Sequence, residues 1–257
     1  MTEIKTYPHF VVENNKKPNR FYAFPLIGFM VKIVLLLPVF LEIFALGFIA
    51  LFAIFINWFF ILLTGKYWDV AYKLFVGLLR LCVKIILFIL GITDKYPGFA
   101  LDTNNIFELD FTKPEKPNRW LAIPVIGIFI RLILLIPYLI FSDVMTYGLK
   151  ISMVLSWFTV AFKNRFPESL YEFEKDSLRV SLAASTYILG LSDKYPSFNI
   201  SMNHQTIKIL LIIAGSLLTA WKIQEDYYPD DFKNKIYKYE YQRQNSSPST
   251  NSDYKTY

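Results

Sequence analysis

The sequence predicts a mainly α-helical, polytopic membrane protein built from two tandem repeats, with a small β-hairpin or sheet at its cytoplasmic face. Three observations lead to this fold class. The chain is 54% hydrophobic and 18% aromatic, and its mean hydropathy is +0.35. Its apolar residues form long blocks. A fixed arrangement of Pro, Gly, Trp and Arg residues also recurs at a constant offset of 99 residues. Together these features are typical of a repeated, membrane-embedded module.

The composition argues against several other classes of protein. The net charge of +6 is modest, and the basic residues lie mostly beside apolar blocks, as membrane-flanking residues do. A nucleic-acid-binding protein would need a basic face on a soluble fold, so we expect no nucleic-acid partner. Cys82 is the only cysteine, which makes a disulfide within the chain impossible. The polar first 20 residues have no small-residue cleavage site, so we expect the first apolar helix itself to direct insertion.

The repeat defines the expected domains. Lys-Pro-Asn-Arg at 17–20 recurs at 116–119, and Asp-Lys-Tyr-Pro at 94–97 recurs at 193–196. Without any insertion, 24 of 83 aligned positions are identical, which indicates that one backbone geometry was built twice. The expected segments are a polar lead (1–20), membrane repeat 1 (21–99), a linker (100–115), a more polar membrane repeat 2 (116–198), a connector with an apolar helix (199–223), and a polar, disordered tail (224–257).

Repeat 1 predicts three helices. As one straight helix, the apolar block from Phe21 to Leu63 would be roughly 65 Å long, about twice the thickness of the hydrocarbon core. Because proline kinks a helix interior, we expect an oblique or interfacial helix from Pro25 to Leu37 and a spanning helix from Pro38 to Leu63. A loop at 64–69 follows. A third helix, from about Val70 to Leu90, then crosses back.

Repeat 2 follows the same plan with more polar residues. Ser142, Asp143 and Lys150 interrupt its long apolar block, and its last helix, from about Glu168 to Leu189, is charged in its first half. A helix this charged is a poor independent span. We therefore expect it to stay partly outside the lipid or to be shielded by the rest of the protein.

The linker contains a short strand pattern. Phe107, Leu109 and Phe111 alternate with acidic residues after an Asp/Asn turn at 102–105, and residues 198–202 alternate in a similar way. This alternation predicts a small β-hairpin and a sheet at one membrane face. An extended linker without strands is the alternative, because the runs are short.

The distribution of basic residues predicts an orientation. Two spans per repeat would put segments 1–20, 93–119 and 191–206 on one side, and these segments hold most of the flanking Lys and Arg residues. The positive-inside rule then places the N-terminus in the cytoplasm of a multi-pass cell-membrane protein. The opposite loops offer chiefly Lys66, Lys163 and Arg165.

The last apolar stretch, at 207–223, is at the lower limit of length for a membrane span. If it crossed as a fifth span, it would export a tail that contains several basic residues, which conflicts with the positive-inside rule. We therefore leave two possibilities open, a crossing helix and a helix that lies on the membrane surface.

A stripe of charge on the third helix is the most specific candidate site. Asp69, Lys73, Arg80 and Lys84 project within about 60° of one another at 3.6 residues per turn. Charges in membrane segments are costly and usually face protein, water or headgroups. The functional interpretation is a polar seam between the repeats that lines a path for an ion or a lipid headgroup. The candidate seam comprises Lys73, Arg80, Lys84, Glu172, Asp176 and Arg179.

Structural explanations of the same charges compete with this interpretation. Lys73 and Glu172, or Arg80 and Asp176, would neutralise each other across the repeat interface. Alternatively, the basic side chains would extend to lipid phosphates. We expect pairing or such snorkelling, because membrane charges need partners in any protein.

The repeated exit turn is the second candidate site, and it comprises Asp94, Tyr96, Asp193 and Tyr195. Asp and Pro favour a turn, and Tyr and Lys favour the membrane interface, so we expect a structural role. We expect no catalytic residue, no metal site and no cofactor. The sequence has no Gly-rich phosphate loop, nucleophile elbow or zinc-ligand spacing.

Repeat 1 carries four short motifs in a fixed order. They are Trp58-Phe59, Thr64-Gly65-Lys66-Tyr67, Gly77-Leu78-Leu79-Arg80 and Thr93-Asp94-Lys95-Tyr96-Pro97-Gly98-Phe99. In this order they resemble a prokaryotic family of membrane domains, the domain of unknown function numbered 4389, several members of which carry the pattern twice. The resemblance covers about residues 17–99 well and 116–198 more loosely, since repeat 2 differs at 163–167. It implies membrane location but no activity.

These patterns predict an integral membrane protein that is not an enzyme. The expected role is a non-catalytic scaffold or an accessory subunit, with membrane lipids as partners and a protein partner bound through the linker or the tail. The alternative is a small transporter, channel or lipid-binding protein that uses the charged seam, because internal repeats often build such sites where they meet.

Overall fold

The computed structural model describes residues 8–15, 17–103, 106–201, 203–227 and 237–243. It is mainly helical, as the sequence predicts, with one small two-stranded sheet. Its elements are β1 (His9–Val12), α1 (Arg20–Ala23), α2 (Ile27–Thr64), α3 (Asp69–Leu90), β2 (Phe107–Asp110), a 3-10 turn (Trp120–Ala122), α4 (Ile126–Lys163), α5 (Glu168–Ile188) and α6 (Gln205–Tyr227).

The apolar block of repeat 1 forms one helix, and the predicted break at Pro38 is wrong. Pro38 lies inside α2, and Pro137 lies at the matching place in α4. An interior proline removes one backbone donor and costs about 3 kcal/mol. Ending the helix among apolar side chains would instead leave several backbone groups without hydrogen-bond partners. The helix therefore continues through the proline.

Both long helices start with the same tight turn. Each contains 38 residues, and each follows a residue with positive φ, Leu26 (68°) before α2 and Val125 (65°) before α4. A glycine comes two residues later. A Cβ atom on Gly28 would lie 2.5 Å from the carbonyl oxygen of Tyr22, and one on Gly127 would collide with the matching carbonyl of Leu121. Only glycine lets the preceding turn approach this closely.

The helix ends are close to those predicted for α3 and α5. Gly91 caps α3 with φ of 83°, and its N–H donates to carbonyl oxygens of the last turn. Gly65 ends α2 in the left-handed conformation, while Asn164 does so for α4. Glycine and asparagine adopt this conformation most readily, which explains why the chain turns at these points.

The sheet differs from the predicted hairpin in its partner strand. β2 forms where the alternating residues predict a strand, but it pairs antiparallel with β1 of the N-terminal lead, with Phe10 opposite Leu109. A two-stranded hairpin is marginal alone, and here the two strands bury Phe10, Val12, Phe107 and Leu109 against α3 and α5. Residues 198–201 form no strand, and Met202 lies outside the described residues.

The hydrophobic core lies between the long helices and the sheet. The largest cluster joins the inner face of the sheet to α3 and α5, with Phe75, Leu79 and Leu182 among its members. A second cluster joins α2 to the end of α3. A third joins α4, α5 and Leu211 of α6. Helices α3 and α5 are therefore covered on several sides, whereas α2 and α4 expose many large apolar side chains.

Three of the described helices are long and apolar enough to cross a membrane, which indicates a multi-pass membrane protein. They are Ile27–Thr64, Ile126–Lys163 and Gln205–Asp226. The expected return spans α3 and α5 do not belong to this group. Helix α3 carries four charged residues and α5 carries six, so their apolar residues bury against protein.

The chain divides into two units, residues 1–216 and 217–257. The second unit contains the end of α6 and a helical segment at 237–243. This segment and residues 224–227 are the described part of the predicted disordered tail, and both are helical. The rest of that tail, and the first seven residues of the polar lead, lie outside the described residues.

We expect Gly28→Ala to destabilise the protein by about 1–3 kcal/mol, because its Cβ must displace backbone atoms of the preceding turn. Gly47→Ala is the matched control in the same helix, since nothing lies within 4 Å of its Cβ position. The control should stabilise by up to about 1 kcal/mol. Thermal unfolding in detergent measures both changes, and an equal response would contradict the close turn.

Candidate functional site

The charged stripe of α3 faces the chain that follows it. Arg80 donates to the carbonyl oxygen of Leu109 (3.2 Å) and lies 3.8 Å from a carboxylate oxygen of Asp110. Lys84 is fully buried and donates to the carbonyl oxygen of Ala100 (2.5 Å). Lys73 is exposed. Lys84 also lies 3.8 Å from a carboxylate oxygen of Asp102. Arg80 and Lys84 therefore bind carbonyl oxygens and acidic side chains of the linker.

The structure does not pair this stripe with the acids of repeat 2. Arg80 contacts Asp110 rather than Asp176 or Glu172, and Glu172 instead pairs with Lys175 (2.8 Å). The expected pairing was wrong because the helical periodicity gives the angle of a side chain around its own helix, but not the segment that covers that face.

A second cluster of charge surrounds Asp176 on α5. Its carboxylate accepts hydrogen bonds from the Ser201 hydroxyl (2.8 Å) and from Lys208 of α6 (2.5 Å), and it lies 3.2 Å from Arg179. Arg179 also donates to the carbonyl oxygen of Asn199 (3.0 Å). The cluster fastens residues 199–201 and the start of α6 to α5, just as the α3 stripe fastens the linker.

The exit-turn aspartates hold the start of each long helix. Asp94 accepts from the backbone N–H of Asn19 (2.8 Å) and from the Asn15 amide (2.7 Å). Asp193 accepts from the N–H of Asn118 (2.8 Å), the residue 99 positions after Asn19. This geometry favours the structural role expected for the turn. The tyrosines of the same turns, Tyr96 and Tyr195, are about two-fifths exposed, and each ring packs edge-on against aromatic neighbours.

Sequence reasoning missed two buried cations, Lys32 and Arg131. Lys32 is 1% exposed. Its amine donates to the carbonyl oxygen of Ile89 (3.2 Å) and lies 5.6 Å from the ring centroid of Trp157. Arg131 is 5% exposed and forms an ion pair with Asp193 (2.5 Å). The signal was present in the sequence, because a basic residue recurs at an offset of 99 inside an apolar block.

Each buried cation lines a small cavity built from both halves of the chain. The Lys32 cavity is closed by Trp157 and Phe166 from the end of α4 and its following loop. The Arg131 cavity is closed by Trp58 and Tyr67, the residues 99 positions earlier. The end of each long helix therefore covers the beginning of the other.

Glu174, like Lys208, is a further buried ionisable residue that the sequence analysis did not single out. It is fully buried on α5 and accepts a hydrogen bond from the Ser152 hydroxyl (2.9 Å), while its second oxygen has no protein partner. Burial raises the pKa of Glu174 to about 8, and the nearby serines and Lys32 oppose this shift. Its carboxyl group is therefore mostly protonated at neutral pH.

These groups act by holding backbone segments in place. Lys84, Arg131 and the Asp176 cluster each contact a carbonyl, an amide or a charged partner of the same chain. Among the described residues, no group of three or more His, Cys, Asp and Glu side chains is placed to hold a metal ion.

Comparison with known families finds the domain that the motifs resemble, but in repeat 2, where the resemblance is looser, and not in repeat 1, which carries the motifs. The domain of unknown function DUF4389 matches residues 126–199, from the start of α4 past the second exit turn. The match is a single copy of the domain. No curated protein and no solved structure matches the chain.

We predict that Glu174→Gln makes the stability of the protein less dependent on pH between about 5 and 8. The gain in stability relative to the wild-type protein should grow as pH rises through this interval. The folded pKa lies above the unfolded one, so unfolding releases a proton in this interval and stability falls with pH by up to about 1.4 kcal/mol per unit. Glutamine can still accept from Ser152 but does not ionise. Thermal unfolding across this range should lose part of its pH dependence in the variant, and an unchanged profile would contradict a protonated Glu174.

Proposed function

We propose that this chain is a non-catalytic membrane scaffold or accessory subunit, built from two copies of one membrane module. The second copy coincides with the domain match at 126–199. The first copy is supported by the 99-residue offset, which relates both long helices, both glycine turns and the aspartate hydrogen bonds to Asn19 and Asn118.

The strand register supports a local two-fold axis between the copies. Phe10 pairs with Leu109, and subtraction of 99 from 109 gives 10, so the two residues occupy the same position in each copy. Antiparallel pairing centred on equivalent positions is what a two-fold axis requires. The reciprocal cavities agree with this symmetry, because each copy covers the buried cation of the other.

The membrane location is supported by the outward faces of α2 and α4. Large apolar side chains such as Phe44 (78% exposed), Leu63 (82%) and Phe162 (78%) point away from the core. Soluble proteins rarely expose contiguous apolar patches of this kind. We assign the chain to the cell membrane with a cytoplasmic N-terminus, on the basis of its basic flanking residues.

One observation favours an accessory role over an isolated membrane protein. Asp143 and Lys150 are exposed on α4, two turns apart, on the face that points away from α5. The matching residues of α2 are Phe44 and Leu51, which are apolar. Lys150 lies over the ring of Tyr147 (4.4 Å) and not near Asp143. Because charges in an apolar membrane face need protein or water partners, this patch fits a membrane helix that carries a base and an acid two turns apart.

The transport alternative finds less support. It requires the α3 stripe to line a path, but Arg80 and Lys84 are engaged by the linker backbone. The linker itself is bound to α3, which makes the α4 patch a better protein-binding surface than the linker proposed from sequence. The tail remains a second place for a partner to bind.

A photo-crosslinking amino acid at Tyr147 tests the accessory role in native membranes. We expect a protein adduct that is lost in Asp143→Lys, and whose crosslinked peptide carries a base and an acid two turns apart. Phe48, the equivalent position on α2, is the control and should yield chiefly lipid adducts. Lipid adducts alone at both positions would reject the accessory role.

A further inference from the structure

The path of the linker limits how residues 1–216 can meet a membrane. The described parts of the linker, 100–103 and 106–113, contact α3 in the order opposite to the direction of the helix. Lys84 near the end of α3 binds Ala100, Arg80 in the middle binds Leu109, and Tyr72 near the start donates to the carbonyl oxygen of Phe111 (2.8 Å). Lys113 then contacts Asp69 at the first residue of α3. The linker thus follows almost the whole helix.

The linker and the first residue of α3 carry exposed carboxylates along that length. The side chains of Asp102, Asp110 and Asp69 are 68%, 77% and 78% exposed. Each of these carboxylates has an ion-pair partner, but most of its surface is exposed. Extended backbone and such exposed carboxylates do not occur in contact with hydrocarbon. Water must therefore reach the linker side of α3 at least from Asp69 to Lys84, over about 23 Å. The exit turn, where Lys95 is exposed, continues this polar side at the end of the helix. Both observations favour a helix α3 that lies along the membrane surface and not across the membrane.

Helix α2 lies antiparallel alongside α3. Leu36 and Val39 pack against Ile85 and Phe88 near one end of the pair, and Asn57 accepts from the Trp68 N–H near the other (3.0 Å). Exposed apolar residues continue from Met30 to Phe59, a length of about 44 Å. This exceeds the roughly 30 Å of a hydrocarbon core, so the face suits a helix that lies in the membrane plane.

The loop after α2 also contacts the segment that precedes α4. A Cβ on Gly65 would lie 2.7 Å from the Arg119 guanidinium, and the two-span topology puts these residues on opposite membrane faces. On the other copy, Arg179 and Asp176 bind residues 199–201 along α5, which repeats the arrangement of α3 and the linker.

We propose that residues 1–216 insert into a single leaflet of the bilayer from one side, with α2 and α4 in the membrane plane. The polar linker, the exit turns and both interhelical loops then share one aqueous face. This arrangement also places Lys66, Lys163 and Arg165 with the other basic residues, as the positive-inside rule favours. The inference rests on the proposed membrane location. It replaces the crossing that the length and composition of α2 and α4 suggest with contact to the lipid of one leaflet.

Single cysteines in a Cys82→Ala background test this arrangement with a membrane-impermeant maleimide. The positions are Lys66, Lys95, Glu108 and Arg165, each exposed, and Phe44 is the lipid-facing control. In inverted membrane vesicles and spheroplasts of the expression host, all four positions should label from the same side only, and Phe44 from neither. Labelling of Lys66 and Arg165 from the side opposite to Glu108 would overturn the proposal and leave the membrane location intact.

Spin labels along α2 give a second measurement that does not depend on loop reactivity. The labels replace Met30, Phe44 and Phe59, three outward-facing residues spread over the helix. In vesicles of phosphatidylethanolamine and phosphatidylglycerol, accessibility to oxygen and to a water-soluble nickel complex should report similar depths at all three. A deep central label between two shallow ones would instead require a crossing helix. A protein that stays in solution without detergent would reject the membrane location itself.

Discussion

The structure depends on the hydrogen bonds that the backbone of the linker makes where it lies against the apolar helices. The described residues of the linker, 100–103 and 106–113, present backbone carbonyl oxygens that need donors. Lys84 and Arg80 supply some of them from α3, and β1 supplies others through the sheet. Because the linker is tied along α3, α4 begins beside the end of α2. The antiparallel placement of the two halves and the water-facing side of α3 follow from this path.

The two halves keep one framework while their interiors differ. The aspartate caps and glycine turns recur almost unchanged, since each fixes backbone atoms. The buried cations differ in how they are neutralised: Arg131 reaches Asp193, whereas Lys32 has a carbonyl and aromatic rings. Glu174 occupies the place of Phe75. Burying polar residues inside the second half costs free energy, and hydrogen bonds from serine hydroxyls offset part of that cost.

Local patterns predicted the elements better than their partners. The α3 boundaries and the strand at Phe107 follow from helix caps and alternation, which act within a few residues. The partner of β2 lies about 100 residues away in the lead, beyond the reach of such patterns. The break at Pro38 was wrong because an apolar environment penalises unpaired backbone groups more than one proline. The basic residues of α3 were expected to face repeat 2, but they face the linker, because helical periodicity does not identify which segment covers a helix face. Lys32 and Arg131 are recognisable as an equivalent pair only when the two repeats are aligned at the 99-residue offset.

The central claim is that the linker returns the chain to the end of α2 on the same membrane face. Spin labels at Lys66 and Trp120, neighbours of the contacting Gly65 and Arg119, test it by pulsed dipolar spectroscopy in reconstituted bilayers. The structure predicts a narrow distribution below about 25 Å. A distance beyond about 30 Å, the thickness of the hydrocarbon core, would contradict it.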